Sequence, residues 1–110
     1  MVDLSLGRLL GLTERLVPTA ISFGIQSEPE LLEKLDTWLP SGFRFVKLKV
    51  GAETDPALLV AVRRHIGPDV GLWVDANQGW DLDAARRAAP FLKASNVLFV
   101  EQPLPVGRLE

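Results

Sequence analysis

Charged residues stand at the ends of three strongly apolar segments of the chain. Lys49 lies near the end of FVKLKV, Asp75 in GLWVDAN and Glu101 in LFVEQPL, and the three follow one another at intervals of 26 residues. A charged side chain at the end of a buried strand costs free energy unless it is paired, solvated or bound to a metal. The regular spacing therefore indicates one site built from neighbouring strands.

The residue types at these positions suit proton transfer beside a divalent cation. Asp75 and Glu101 offer hard oxygen donors for Mg²⁺, with Mn²⁺ as the alternative ion, and no His or Cys stands there to attract a softer metal. Lys47 and Lys49 lie two residues apart on one strand face, so they repel each other, and a nearby cation repels both. We therefore expect the ammonium pKa of one lysine to fall toward the working pH, which would let it act as a general base.

Strand-like and helix-like patterns alternate along the chain. Segments rich in β-branched and aromatic residues predict strands at 19–25, 43–50, 70–77 and 96–104. Three amphipathic segments between them predict helices with one apolar face. The first is predicted to begin at the capping box Ser27–Glu30 and to end at Pro40. The second is predicted to begin at Thr54 or Asp55 and to end at Gly67. The third is predicted to begin at Asp81 and to kink or end near Pro90.

Repeated strand, helix and strand units of this length predict parallel strands joined by right-handed crossovers, which is an α/β fold. Ligands bind at the carboxyl ends of such strands, where Lys49, Asp75 and Glu101 all lie. Strand side chains alternate between two faces, so the charges converge if one set of faces lines a barrel interior. The sets that share a face are Phe45 with Lys47 and Lys49, Trp73 with Asp75 and Asn77, and Phe99 with Glu101.

The bulk composition narrows the setting of this site. A chain of 110 residues has room for one domain with a modest core, and 47% hydrophobic with 24% charged residues is ordinary for a globular protein. The net charge of −2, with mixed signs along the chain, favours neither nucleic acid nor an anionic membrane as a partner. Because the chain has no Cys and no apolar run of about 20 residues, we expect a cytoplasmic protein.

The strings KLKVG, WVDANQGWD and FVEQPLP, in this order and spacing, resemble the barrel (C-terminal) domain of the enolase superfamily, in its muconate-lactonizing and mandelate-racemase-like branch. The resemblance implies the first four βα units of a TIM-like (β/α) barrel, enolase C-terminal-domain-like and incomplete. It implies that Lys49 is the acid/base residue and that Lys47 is its electrostatic helper near the substrate carboxylate. The implied metal ligands are Asp75 and Glu101, with the supporting residues Asn77 and Gln102.

The resemblance also implies an organisation for the chain. Residues 1–17 would be a residual helix leading from a missing capping domain, and residues 18–110 a partial (β/α) barrel domain. A full barrel takes about 250 residues, and in this branch a third metal-binding carboxylate and an opposing lysine lie on later strands. We therefore expect an open sheet that associates with itself or with a complementing half-barrel.

The activity implied by the resemblance is Mg²⁺-dependent removal of the proton α to a carboxylate of a small-molecule substrate, through an enediolate, in an isomerase or lyase. The segments IQSEPE and DANQGW are similar to those of dipeptide epimerases, acylamino-acid racemases and o-succinylbenzoate synthases. The alternative from another class is a catalytically silent half-barrel fragment or assembly module that needs a partner to complete the site.

Three other residues have structural interpretations. His65 lies in the last turn of a predicted helix, where a cation is stabilising, so we interpret it as structural. Trp38 lies on the apolar face of its helix and is predicted to be in the core. Trp80 is open to two interpretations, a wall at the mouth of the site and a residue packed under the following helix.

Overall fold

A four-stranded parallel sheet forms the centre of the fold. The computed structural model describes residues 4–12 and 18–107. The strands are β1 Ala20–Phe23, β2 Phe45–Lys49, β3 Gly71–Asp75 and β4 Val97–Glu101. They lie in the sheet in chain order, each parallel to the next. A helix lies in each crossover, so the predicted α/β fold is confirmed.

Four α-helices are described, and their starts follow local capping chemistry. They are α1 Leu6–Leu9, α2 Glu28–Trp38, α3 Ala57–Ile66 and α4 Leu82–Ala94, with a 3₁₀ turn at Leu39–Ser41. The predicted capping box of α2 is confirmed, because Ser27 donates its backbone N–H and its hydroxyl to the Glu30 carboxylate at 3.1 and 2.6 Å. Asp81 caps α4 by accepting the Ala84 N–H at 2.7 Å.

The start of α3 separates the two capping candidates. The Asp55 carboxylate accepts the backbone N–H of Ala57, the first residue of the helix, at 2.9 Å. The Thr54 hydroxyl instead accepts the Gly51 N–H at 2.8 Å, which holds the preceding loop. Asp55 is therefore the residue that satisfies a free donor of α3.

The helix α4 continues through Pro90 to Ala94, so it does not end near Pro90, while the alternative of a kink there stays a prediction. Pro90 is exposed. The carbonyl four residues before it, which loses its helical partner, therefore lies toward solvent, where water replaces the missing donor. Phe91 and Leu92 then pack against the core and hold the last turn in place.

The helices α2, α3 and α4 cover one face of the sheet, and the core lies between them and the strands. Its fully or almost fully buried members include Leu31, Leu35, Val46, Leu48, Leu59, Val62, Leu72, Val74, Ala84 and Ala88. His65 on α3 places Nε2 at 2.8 Å from Oδ1 of Asp36 on α2, which supports its structural interpretation. Burial of these apolar surfaces is the main stabilising contribution to such a layer.

Trp38 does not join this core, contrary to the prediction, and is 48% exposed. It is the last residue of α2, and the chain turns there into the 3₁₀ segment. That turn places Leu39, and not Trp38, partly buried against the core. The helical period therefore predicts the buried face correctly until the helix ends.

The opposite face of the sheet carries an aromatic layer. The Trp73 ring lies with its centroid 5.8 Å from that of Phe45 and 5.0 Å from that of Phe99. Phe99 is half exposed. The predicted alternation is confirmed here, because these rings share the face that carries the charges at the strand ends.

An irregularity in β4 enlarges this apolar layer. The register between β3 and β4 shifts between Leu72 and Val74, and Val97 and Val100 both pack toward the core. Leu98 and Phe99 between them are both about half exposed. A side chain at Gly71 would meet Phe45, whose Cδ1 lies 2.4 Å from the position of an added Cβ, and Leu98 at 3.1 Å. Gly71 therefore lets two large side chains approach the backbone.

The N-terminal helix predicted for residues 1–17 lies partly outside the described residues. The described part contains only α1, one turn capped by the Ser5 hydroxyl, and its leucines are exposed. The domain limits of the sequence stay a prediction. Within residues 4–12 and 18–107, no helix has the length and apolar character to cross a membrane. The cytoplasmic location stays a prediction as well.

Candidate functional site

Lys47 lies between the two predicted metal ligands. Its Nζ atom is 2.8 Å from Oδ2 of Asp75 and 2.7 Å from Oε2 of Glu101. The Cα atoms of Lys49, Asp75 and Glu101 are register partners across β2, β3 and β4, whereas Lys47 is in register with Trp73. The long lysine side chain carries its ammonium up to the level of the carboxylates. The fold thus brings the predicted site residues to one end of the sheet.

The Asp75 side chain is the most buried charged group of the site, with 3% of its surface exposed. Burial raises the pKa of this carboxyl, but hydrogen bonds from the Lys47 ammonium and the Asn77 backbone N–H outweigh that effect, together with the charges of Lys47 and Lys49. The net result is a pKa below the ordinary value. Asp75 is therefore an anion at neutral pH, as a metal ligand must be.

The pKa of Lys47 is raised, not lowered, so the expectation of a depressed lysine pKa is wrong for this residue. The causes are its hydrogen bonds to Asp75 and then to Glu101, which together outweigh the opposing effect of desolvation. Two carboxylates within hydrogen-bond distance favour the charged ammonium. Lys47 in this state is a cation and not a base.

Glu101 and Lys49 are the more open members of the site. The Glu101 side chain is 42% exposed, and Lys49 is exposed at the end of β2. The Lys49 side chain makes no hydrogen bond or ion pair with another residue of the described ranges. Its side-chain nitrogen therefore has no protein partner among those residues. The Lys49 backbone is in register with that of Asp75 at the carboxyl end of β2.

The two predicted supporting residues act through their backbones. The Asn77 N–H donates to Oδ1 of Asp75 at 2.9 Å and fixes the orientation of that carboxylate. The Gln102 carbonyl accepts the Gln78 N–H at 2.7 Å. Asn77, Gln78 and Gln102 have φ values of 47°, 62° and 44°, in the left-handed region. Such a conformation is uncommon outside glycine and marks tightly constructed loops beside the site.

Gln78 is a positioning residue that the sequence interpretation missed. Besides its backbone contact with Gln102, its side-chain Oε1 accepts the Val106 N–H at 3.2 Å. The loop after β3 is thereby tied to the segment that follows β4. In the sequence, Gln78 is marked only as a polar residue before Gly79 in the string DANQGW. That pattern does not indicate which residue its side chain contacts.

Trp80 packs under the following helix, which decides between its two interpretations. It is 5% exposed and belongs to the core. Its indole Nε1–H donates to the Gly51 carbonyl at 3.2 Å, and its backbone N–H donates to the Pro103 carbonyl at 3.1 Å. Trp80 thus joins the loops that follow β2, β3 and β4, which places the strand ends relative to one another.

The donor set fits a hard divalent cation in chemistry and in direction. Oδ2 of Asp75 and Oε2 of Glu101 already point at a single cation, the Lys47 ammonium. Carboxylate oxygens are the ligands that Mg²⁺ prefers, usually with water or substrate completing the coordination. In the described ranges, no three Asp, Glu, His or Cys side chains come together as a metal site. This part of the chain therefore offers two protein ligands.

Comparison with known proteins shows the family to which the chain is related. The family described as enolase C-terminal domain-like matches residues 30–110 of this chain. A hydrophobic dipeptide epimerase from Roseobacter litoralis is 38% identical over 104 residues, which are 90% of this chain and 30% of that protein. An arabinonate dehydratase from Saccharolobus solfataricus is 34% identical over 110 residues, which are 94% of this chain and 30% of that protein.

The fold is also similar to solved structures. A dipeptide epimerase from Methylococcus capsulatus, crystallised with Mg and the dipeptide L-Arg-D-Lys, superposes with a TM-score of 0.78 at 30% identity. The superposition covers 84% of this chain and 27% of that chain. The chain spans about 30% of the length of the curated relatives it matches.

Proposed function

Because this chain belongs to the enolase C-terminal domain-like family, we propose that it carries the lysine and two of the metal ligands of a Mg²⁺-dependent isomerase or lyase. The reaction would begin with removal of the proton α to a substrate carboxylate. The observation that carries the proposal is the convergence of Asp75 and Glu101 on one cation position, with Lys49 in register beside them.

Each residue has a proposed role that follows from its position. Asp75 and Glu101 would hold Mg²⁺, which when bound would stabilise negative charge on the substrate carboxylate. Lys49 in its neutral amine form would take the α-proton and become an ammonium, because its side-chain nitrogen has no hydrogen-bond or ion-pair partner among the described residues and stands at the exposed end of β2. Lys47 would bind the substrate carboxylate by charge, and the Asn77 N–H would orient Asp75.

The proposed substrate class is a small-molecule carboxylate, with dipeptides or acylamino acids as the favoured members. A relative named as a hydrophobic dipeptide epimerase and a similar structure holding the dipeptide L-Arg-D-Lys both support this class. An arabinonate dehydratase is similar to the chain at nearly the same level of identity. The coarse reaction class is therefore better supported than any single substrate.

Titration of the chain with MgCl₂ in a calorimeter tests the metal site directly. We expect binding in the millimolar range, because two carboxylates hold Mg²⁺ weakly without further ligands. Asp75→Asn and Glu101→Gln should each weaken binding by about tenfold or more, since each removes an anionic ligand. Asp69→Asn is the matched control, because Asp69 is exposed and lies before β3, at the opposite end of the sheet.

Absence of Mg²⁺ binding at tens of millimolar, an excess over the expected range, would contradict the proposed site. It would favour the alternative of a catalytically silent half-barrel. If Asp69→Asn and Asp75→Asn weakened Mg²⁺ binding equally, that result would also contradict the proposed site, because it would show an unspecific effect of charge.

We propose that the aromatic face of the sheet is covered by a second half-barrel, from another copy or from a complementing segment. Leu98 and Phe99 on this face are 54% and 50% exposed. The rings of Phe45 and Trp73 lie beside Phe99 on the same face and extend its apolar surface. Eight strands close a barrel of this type, and among residues 4–12 and 18–107 the outer strands β1 and β4 each have one edge without a strand partner.

Light scattering tests this association. The chain should form dimers or larger species at tens of micromolar, because exposed apolar faces and unpaired edges favour association. Phe99→Asp should shift the chain toward monomer, since association would bury a new carboxylate. Leu82→Asp, at an exposed leucine that starts α4, should leave the mass unchanged. A stable wild-type monomer would contradict the proposal.

A further inference from the structure

We propose that Lys47 is an internal counter-ion, which holds Asp75 and Glu101 together in the metal-free chain and must leave them when Mg²⁺ binds. The inference rests on the proposed metal site and adds a competition within it. Its basis is the position of Nζ, 2.8 Å from Oδ2 of Asp75 and 2.7 Å from Oε2 of Glu101.

The two carboxylates need a cation at all times. The Asp75 side chain is almost wholly buried, and Glu101 is its register partner on the adjacent strand. Two like charges on adjacent strands repel each other, and burial of Asp75 weakens the screening of that repulsion by water. An ammonium between them offsets both that repulsion and the loss of hydration. Lys47 meets the need in the absence of metal, with only 19% of its side chain exposed.

The ammonium occupies the oxygen of Asp75 that a metal would need. Oδ1 of Asp75 accepts the Asn77 N–H at 2.9 Å, so Oδ2 is the oxygen less engaged by the backbone and the better placed for a cation. Oδ2 is the atom that Lys47 contacts. Two cations cannot share this position, because they repel each other and Mg²⁺ oxygen distances are about 2.1 Å. Metal binding and the Lys47 ion pairs therefore exclude each other.

Once displaced by the metal, the Lys47 ammonium becomes available to bind an anion. The Lys47 side chain remains on the same strand face as Lys49, so the freed ammonium adds an unpaired positive charge at the mouth of the sheet. A substrate carboxylate is the natural partner of that charge. The chain would thus present a binding site for an anion only after the metal has replaced Lys47.

Calorimetric titration of Lys47→Met with MgCl₂ tests the competition. We expect the Kd for Mg²⁺ to fall about tenfold relative to wild type, because the competing ion pairs are gone while both ligands remain. Lys47→Arg should bind Mg²⁺ no more tightly than wild type, since it keeps the competing charge. Lys93→Met, at an exposed lysine in the last turn of α4, is the matched control and should leave the Kd unchanged.

The outcomes separate the inference from the proposed function. If neither wild type nor Lys47→Met binds Mg²⁺, the metal site and the inference both fail. If both bind and the Kd of Lys47→Met is unchanged or higher, the metal site is supported and the proposed competition by Lys47 is contradicted. Tighter binding that is absent in the Lys93→Met control supports it.

A second measurement uses the wild-type chain and needs no variant to fold. Lysine ammonium groups held in ion pairs are visible in ¹H–¹⁵N spectra recorded at low temperature and acidic to neutral pH. The Lys47 signal should shift or vanish on addition of MgCl₂, with the same midpoint as the calorimetric titration. A Lys47 signal that is unchanged at saturating Mg²⁺ would overturn the inference.

Discussion

Replacing Lys49 with methionine is expected to reduce α-proton exchange with deuterated solvent by about 10³-fold, the contribution of a well-placed general base. Methionine keeps the length and the apolar stem of lysine but has no group that can take a proton. The loss should appear with little change in stability, because the Lys49 side chain is exposed and makes no hydrogen bond or ion pair with another residue of the described ranges.

The measurement requires a closed barrel, which a chimaera provides. Residues 18–107 would replace the matching segment of the Methylococcus capsulatus dipeptide epimerase, whose structure superposes on this chain. Exchange at the α-carbons of L-Arg-D-Lys would be followed by NMR in D₂O with MgCl₂ present. The chimaera with native Lys49 is the reference, and Lys93→Met is the matched control, because Lys93 is an exposed lysine on α4.

A Lys49→Met chimaera that exchanges the α-proton as fast as the reference would show that another group is the base. Equal losses in Lys49→Met and Lys93→Met would point to a folding defect instead. The separation of these results rests on the location of Lys93, which lies in the last turn of α4 and not at the site.

Replacing Arg63 with methionine is expected to lower the free energy of unfolding by about 3 kcal/mol, because several partly buried carbonyls lose a charged donor. The Arg63 side chain donates to the carbonyls of Gly67, Val70 and Ser95 at 2.6, 2.8 and 2.8 Å. These bonds tie the end of α3 to the turn before β3 and to the turn before β4. They fasten the amino ends of the strands whose carboxyl ends carry Asp75 and Glu101.

Urea unfolding of the chain, followed by tryptophan fluorescence, measures this effect. Arg64→Met is the matched control, because Arg64 is the exposed neighbour on the same helix, and we expect a change within about 0.5 kcal/mol. Arg63→Lys should lie between the two, since it keeps a positive charge but lacks the several nitrogens of the guanidinium. An Arg63→Met protein as stable as Arg64→Met would contradict a role in fastening the turns.

Elements that depend on neighbouring residues in the chain agree with their sequence patterns. The segment 43–50 predicted a strand with Lys47 and Lys49 on one face, and β2 spans Phe45–Lys49. The capping box at Ser27 and the cap at Asp81 are confirmed, because such hydrogen bonds link residues only three positions apart. Local chemistry of this kind is fully present in the sequence.

Predictions that depend on more distant surroundings were less successful. Pro90 does not end α4, because its exposure lets water replace the lost helical hydrogen bond. Trp38 is exposed because the chain turns at the end of its helix. The shift in register that places both Leu98 and Phe99 on the aromatic face has no signal in the alternation of β4. These features depend on neighbours far away in the chain.

The sequence by itself determined which residues stand at the strand ends, because strand side chains alternate with a period of two and parallel crossovers bring carboxyl ends to one edge. That reasoning was sufficient to single out Lys47, Lys49, Asp75 and Glu101. Only the tertiary structure decided which groups pair. The Lys47 ammonium lies between both carboxylates, and its pKa rises instead of falling. The physical reason is that strand register sets the distances between charges, and those distances decide whether attraction or repulsion dominates.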